Sequence, residues 1–466
     1  FGLTMVFQIP KLNFKGPDEP ASESTTSLPN IILLGIDGVN ATHMSVYGYE
    51  RETTPNLEGL SRNALVIENA FSNAGKTGGS LTSLLTGKSS TETRVIFPPD
   101  ILMGQDAYEH LPGILKELGY STIQISMPYY GDAYERNIRD GFDIVNFRTQ
   151  SNNLLPARLA RMGGGGGLYF ARQIIVRITD RLAHVFFIKT MEDPYAIVTQ
   201  HAEWIHDDER LEGAYQYLDE TDGPLFLHVH LMDMHGPKFY VRHQVFSVGQ
   251  TQDDEWNMDF YDDAVLGADR SIRELFDYLS RTGKIESTIV ILYSDHGMKW
   301  DPLARIPLMF WFPGHQYAGT MNENVQLLDI APTILDYLDV PSPEWMEGES
   351  ILTGDLAPAR PIFSATVGDE LIITEDRTMW IVDENRISPP FYQLGRLNLV
   401  VCNRWFSLNL RDPGLTHGMV EGSTAICGAG QVPSPETAQA LLTQYLIDDG
   451  YDTSGFPKVI PISEVP

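Results

Sequence analysis

Short unbroken apolar runs alternate along this chain with stretches of helical periodicity. Ile31–Ile36 (IILLGI) is apolar at every position and stops at Asp37. A run of that length without alternation predicts a strand buried on both faces of a parallel sheet. Helical stretches are expected over Thr54–Asn63 and from Thr77 onward. A helix over His110–Leu118 and a strand over Ser121–Ser126 follow, then a strand over Leu225–Leu231 (LFLHVHL). Tyr261–Thr282 carries apolar residues at helical spacing, and Ser287–Tyr293 (STIVILY) is a strand running into Asp295. This order predicts an α/β fold: a mostly parallel open sheet flanked by helices, with functional residues at the strand ends. From about Ala357 the pattern changes to short strands and turns, with a last helix near Glu436–Ile447. The expected organisation is a polar tether or leader remnant over 1–28, a catalytic domain over 29–356 and a smaller α+β subdomain over 357–466.

Charge changes the picture in two places. The chain of 466 residues carries a net charge of −29. Such a field repels nucleic acid, which removes it as a partner. Against that background, Leu168–Lys189 holds Arg172, Arg177, Arg181 and Lys189 with Asp180 as its one acid. Its apolar residues recur at helical spacing, so the insertion at 151–190 reads as a basic amphipathic helix. Such a helix can lie on a membrane surface or pack on the acidic body of the protein. The chain begins at Phe1, and Lys15–Ser27 has no core-forming pattern. An extracytoplasmic protein, with an anchor or signal segment upstream of Phe1, fits these features. The two cysteines, Cys402 and Cys427, can pair as one disulfide in an exported protein or stand as unrelated thiols.

Candidate chemistry collects at strand ends and turns. Asp37 closes the first strand, and Asp295-His296-Gly297 closes a later one. Two carboxylates and an imidazole suit one divalent cation, zinc or manganese before calcium or magnesium. Glycines flank Thr77 in Ala74–Gly87 (AGKTGGSLTSLLTG). A threonine at a helix N-terminus either caps the helix or sits where free N–H groups favour an anion. In Leu227–Tyr240 (LHVHLMDMHGPKFY), alternation puts His228 and His230 on one strand face and leaves His235 in the turn. The turn position makes His235 the better candidate to reach a site, ahead of His230; His228 reads as a structural strand histidine.

These segments together resemble the sulfatase family of the alkaline-phosphatase superfamily. Leu34–Glu58 (LGIDGVNATHMSVYGYERETTPNLE) is similar to the family's opening, and Thr77–Gly87 to its nucleophile turn. Ile289–Gly297 (IVILYSDHG) looks like the second metal-binding strand, and Leu327–Leu335 and Phe406–Pro413 like later landmarks. His235-Gly236-Pro237 with Tyr240 resembles the turn of lipid A phosphoethanolamine transferases. Departures are informative. Family sulfatases use a Cys or Ser converted to formylglycine, followed by Pro and Arg; here Thr77, Gly79 and Leu81 occupy those places, and Gly38 replaces a second Asp. Threonine cannot become formylglycine, because its β-carbon carries a methyl group. The set Asp37, Thr77, Asp295 and His296 is similar to that of phosphoethanolamine and phosphoglycerol transferases, which use a Thr nucleophile.

The resemblance implies metal-dependent attack of Thr77 on a phosphate ester or diester through a phospho-threonine intermediate. His235 would serve as acid, and Lys76, Asn40, His230 and Lys299 would bind substrate, a small-molecule or lipid-headgroup ester. Metal ligands would be Asp37, Thr77, Asp295 and His296. The alternatives are a sulfuric-ester hydrolase, and a degenerate family member kept as a binding or structural subunit.

Overall fold

The computed structural model describes residues 28–149 and 205–465, apart from residues 355, 369–370, 375–379, 384, 386, 429 and 458–459. The basic helix expected over 168–189 and nearly all of the expected tether lie outside the described residues.

Nine strands form the main sheet: β1 (Asn30–Ile36), β2 (Leu65–Phe71), β3 (Ser121–Ile125), β4 (Ile144–Val145), β5 (Arg148–Thr149), β6 (Leu225–Leu231), β7 (Thr288–Ser294), β8 (Leu308–Trp311) and β9 (Gly319–Gln326). Their order is β5-β4-β3-β6-β1-β7-β8-β2-β9. From β4 through β7 every pairing is parallel. β8 runs antiparallel to β7 and to β2.

The central strands are apolar throughout because both faces are covered. Ile31 and Leu33 of β1 enter one core, while Ile32, Leu34 and Ile36 enter the other. The first core is shared with helices α2 (Thr77–Thr86), α4 (Leu111–Glu117) and α7 (Ile330–Tyr337), and with the short α3 (Ser90–Thr93) nearby. The second is covered by α1 (Pro55–Leu60), α5 (Asp207–Glu220) and the 24-residue α6 (Met258–Arg281). Within the described residues, the helices and strands expected from apolar spacing are present, within a few residues at each end.

A second sheet follows in the order β10-β13-β14-β15-β16: β10 (Ile362–Val367), β13 (Leu394–Val401), β14 (Arg404–Asn409), β15 (Gly414–Met419) and β16 (Ile462–Glu464). It is antiparallel except for β15-β16. Helix α8 (Pro435–Asp448) sends Ala438, Leu442 and Leu446 into a core with Leu397, Leu399, Phe406 and Leu408. A separate antiparallel pair joins β11 (Leu371–Ile373) to β12 (Trp380–Val382), and Val382 N–H donates to Pro98 O at 2.9 Å. Cys402 and Cys427 are joined by a disulfide, their Cα atoms 6.1 Å apart. Among the described residues no helix is long and apolar enough to cross a membrane.

The two sheets meet just ahead of Thr77. Gly75 N–H donates to Ala365 O at 2.9 Å, and Ala365 N–H to Asn73 O at 3.0 Å.

Candidate functional site

β1, β6 and β7 are neighbours in the sheet, so their C-terminal ends bring Asp37, His230 and Asp295 together. One ligand atom from each of these residues lies within 4.8 Å of the others, and all three are buried. His230 Nε2 is 3.7 Å from Asp37 Oδ2 and 3.9 Å from Asp295 Oδ2. His296 stands beside them, its Nε2 3.3 Å from Asp295 Oδ2.

Local bonds leave particular atoms facing this centre. Asp295 Oδ1 accepts from Gly38 N–H at 3.2 Å and His296 N–H at 3.0 Å. Its Oδ2 has no hydrogen-bond partner, and neither has either ring nitrogen of His230. Buried polar atoms without partners are costly. A divalent cation between a carboxylate oxygen and an imidazole nitrogen would satisfy both, so the residues fit the metal that the strand ends predict. The mixed nitrogen and oxygen donors agree with zinc or manganese.

Asp37 is held ionised. Burial opposes its charge, but His235, then His230 and His296, outweigh it and keep the carboxyl well below the usual range. Gly38 follows in a left-handed conformation, φ +64°. That turn favours glycine, which gives a local reason for the lost second aspartate.

Thr77 opens α2 and is 7% exposed. Its Oγ1 donates to Asp37 Oδ2 at 3.3 Å and lies 3.2 Å from His296 Nε2. His296 Nδ1 lies 3.0 Å from Gly297 O, which can only accept, so Nδ1 carries the proton. With the proton on Nδ1, the neutral ring would offer Nε2 to the hydroxyl as an acceptor. The capping reading of Thr77 does not hold: Lys76 is the N-cap, without a side-chain cap bond. Ser80 Oγ donates to Asp295 O at 2.6 Å and bolts α2 to the end of β7.

The remaining candidates fall into different places. His230, expected to bind substrate and ranked behind His235, instead stands among the carboxylates. His235 is half-buried in the turn after β6, its ring 6.4 Å from that of Trp300. Lys76 Nζ lies 3.6 Å from the centre of the Trp300 ring, a cation–π contact. Burial lowers its pKa to about 8, with Asp37 opposing the shift. Asn40 is a brace: its Oδ1 accepts Met298 N–H at 2.8 Å, which ties the turn after His296 to the end of β1. Lys299 is exposed, 5.8 Å from the Trp256 ring. His228 is buried and hydrogen-bonded on both ring nitrogens; burial, and next the neighbouring His230, lower its pKa to about 3. Trp300 and Tyr293, close to this centre, carried no signal in the sequence beyond their nearness to Asp295.

Comparison with known proteins bears on family and fold. N-acetylglucosamine-6-O-sulfatase of Bacteroides thetaiotaomicron is 20% identical over 435 residues, covering 75% of this chain and 74% of the relative. N-acetylgalactosamine-6-sulfatase of Homo sapiens is 24% identical over 381 residues, covering 72% and 68%. Phosphonate monoester hydrolase of Agrobacterium radiobacter superposes with a TM-score of 0.55 at 14% identity, covering 90% of this chain and 95% of that one. A protein of the alkaline phosphatase superfamily from Vibrio parahaemolyticus gives a TM-score of 0.57 at 16% identity, covering 92% and 89%. At such identities the structural likeness speaks to fold. The Sulfatase family model matches residues 29–340, more than half of the sequence, and the chain belongs to the sulfatase family.

Proposed function

We propose that this protein is a metal-dependent ester hydrolase or transferase that attacks phosphate esters or diesters with Thr77. The observation that carries the reading is the seating of Thr77 Oγ1 between Asp37 Oδ2 and His296 Nε2, at the start of a buried helix. Both neighbours can accept the hydroxyl proton. As the Oγ1–P bond forms, the bond from phosphorus to the leaving oxygen breaks, and His235 would protonate that oxygen. Lys76 offers its ammonium to the non-bridging oxygens. Water or an acceptor alcohol then cleaves the phospho-threonine and regenerates Thr77. Asp37, His230 and Asp295, with His296 beside them, would hold the divalent ion, which when bound polarises the phosphoryl oxygen and acidifies the hydroxyl.

The comparisons favour a second reading, hydrolysis of sulfuric esters, because the curated relatives named above are sulfatases. Thr77 opposes it, since no formylglycine can form at that position. Paired aryl phosphate diester and aryl sulfate substrates separate the two. Our reading expects turnover of the diester. Turnover of the sulfate alone establishes the second reading, and turnover of neither leaves a binding or structural subunit.

The substrate, on this reading, is a small-molecule or lipid-headgroup ester rather than a nucleic acid. The Cys402–Cys427 disulfide supports an extracytoplasmic location, because such bonds persist in oxidising compartments.

A further inference from the structure

The ammonium next to Thr77 is held by aromatic rings. Lys76 Nζ stands 3.6 Å from the centre of the Trp300 ring and 5.4 Å from that of Phe97. Among the described residues it makes no ion pair or hydrogen bond, and Asp37 bears on its charge only through space. A lysine stem is long and flexible, so an unheld ammonium would sample many positions. A carboxylate would fix it but occupy its donors. The negative face of an aromatic ring attracts the charge and leaves the N–H groups for another acceptor.

Trp300 is fixed from two sides. Its backbone is left-handed, φ +61°, as is that of Lys299, a conformation that surrounding structure must enforce. Gly297 N–H donates to Asp301 O at 2.9 Å and Asp301 N–H to Gly297 O at 3.3 Å, closing the turn that carries both. Gly75, just before Lys76, packs against this turn: a Cβ there would stand 2.8 Å from Trp300 O. On the other side the Trp256 ring meets that of Trp300 edge to face, with centroids 5.4 Å apart and planes at 85°. Trp256 lies on Gly236, where a Cβ would come within 2.1 Å of its ring, and its N–H donates to Pro237 O at 2.8 Å. Gly236 and Pro237 follow His235, whose own ring is 6.4 Å from that of Trp300. One indole therefore holds Lys76 and neighbours His235, the groups assigned above to the phosphoryl oxygens and the leaving oxygen.

We propose that Trp300 is a positioning residue: its indole face holds the Lys76 ammonium where a tetrahedral oxyanion binds beside Thr77, and Trp256 keeps that indole in place. The proposal rests on the reading that Lys76 meets the non-bridging oxygens of the ester. Without the ring the same charge spreads over a larger volume, and oxyanion binding weakens.

The test measures binding of inorganic phosphate and of sulfate to the protein as purified, by calorimetry. Trp300→Leu should weaken binding of the anion roughly 10-fold, and Trp300→Phe, which keeps a ring, roughly 3-fold or less. In a Lys76→Met background, Trp300→Leu should have no further effect. A loss of equal size in both backgrounds makes Trp300 a packing residue only and overturns the proposal. Unchanged binding in Trp300→Leu overturns it too, as does a loss in Trp300→Phe as large as in Trp300→Leu. Should Trp300→Leu fail to fold, spectra of the unaltered protein with 13C-labelled lysine decide. The Lys76 ε-methylene protons, over the indole face, should be shifted upfield by the ring and should respond to phosphate; an ordinary shift or no response overturns the proposal. If neither anion binds the unaltered protein, it is likewise overturned. Turnover of an aryl phosphate diester, followed alongside, separates the two readings: coupled anion binding without turnover of any ester removes the attack by Thr77 and leaves the placing of Lys76 standing.

Discussion

The two sheets place their residues by different means. In the main sheet, β1 and β7 are covered on both sides, and alternate residues enter two separate cores. A strand so enclosed has little freedom to slip, because a shift of one residue would exchange its two faces. Its end point is fixed, and Asp37 and Asp295 occupy such ends. The C-terminal sheet has one face under α8, more irregular burial along β14 and β15, and a disulfide close to the turn between β13 and β14. It contributes no residue to the Asp37–His230–Asp295 cluster. Its contact with the site region runs through the backbone, where β10 bonds to residues 73–75 ahead of Thr77. Enclosure on both faces positions chemistry; the C-terminal sheet braces the segment that leads to it.

Changes in the first region should act on turnover and changes in the second on stability. The largest effect is expected from Thr77→Ala, which should lower kcat for an aryl phosphate diester by roughly 10⁴-fold or more. Folding should survive, since Thr77 does not cap α2 and loses only weak bonds; circular dichroism and thermal melts would check this. Next in size, saturating zinc or manganese at about 100 times Kd should stabilise the protein by about 2.7 kcal/mol. Asp295→Asn should remove most of that gain in a thermal-shift titration. A gain of the same size in Asp295→Asn would place the cation elsewhere.

In the C-terminal sheet, Cys402→Ser opens a loop of sequence separation 25. The expected loss of stability is about 3 kcal/mol by denaturant titration, with turnover at low temperature unchanged. Loss of turnover without loss of stability would erase the contrast between the regions.

The smallest effect concerns the seam, where Asp100 lies near Gln393 and Tyr451. Burial raises its pKa to about 7, against the Ile96 N–H bond and Arg136, which lower it. An unfolded aspartate titrates near 4. The folded state therefore binds this proton more tightly, so the stabilising contribution is complete below about pH 4 and lost as pH rises through about 7. Asp100→Asn should flatten that part of the stability profile, measured by melts between pH 4 and 8.

The ends of β1 and β7 were legible in the sequence because their apolar runs give way to aspartate, at Asp37 directly and at Asp295 after Ser294. β2 and β9 were not: Glu68 and Asn69 interrupt the first, and the exposed half of the second is polar. Alternation told which face His230 occupies but could not tell its neighbours. Those depend on the register of β6 against β1, which sets Gly35 opposite it, a pairing between residues far apart in the chain. Thr77 was visible from its glycine flanks and the helix after them. That Lys76 rather than Thr77 would cap this helix depends on backbone angles no pattern of residue types encodes. Asn40 was expected as a substrate contact because it follows Asp37 closely; that its amide oxygen also meets Met298 N–H across the site turn was not legible.

The central claim is that Thr77 attacks the ester. Its most direct test is mass spectrometry of the Thr77-containing peptide after rapid acid quench of the enzyme turning over a slow aryl phosphate diester. The account predicts a phosphoryl adduct localised to Thr77 and absent from Thr77→Ala. Turnover with no adduct on that peptide, together with undiminished turnover by Thr77→Ala, would contradict it and assign the attack to water.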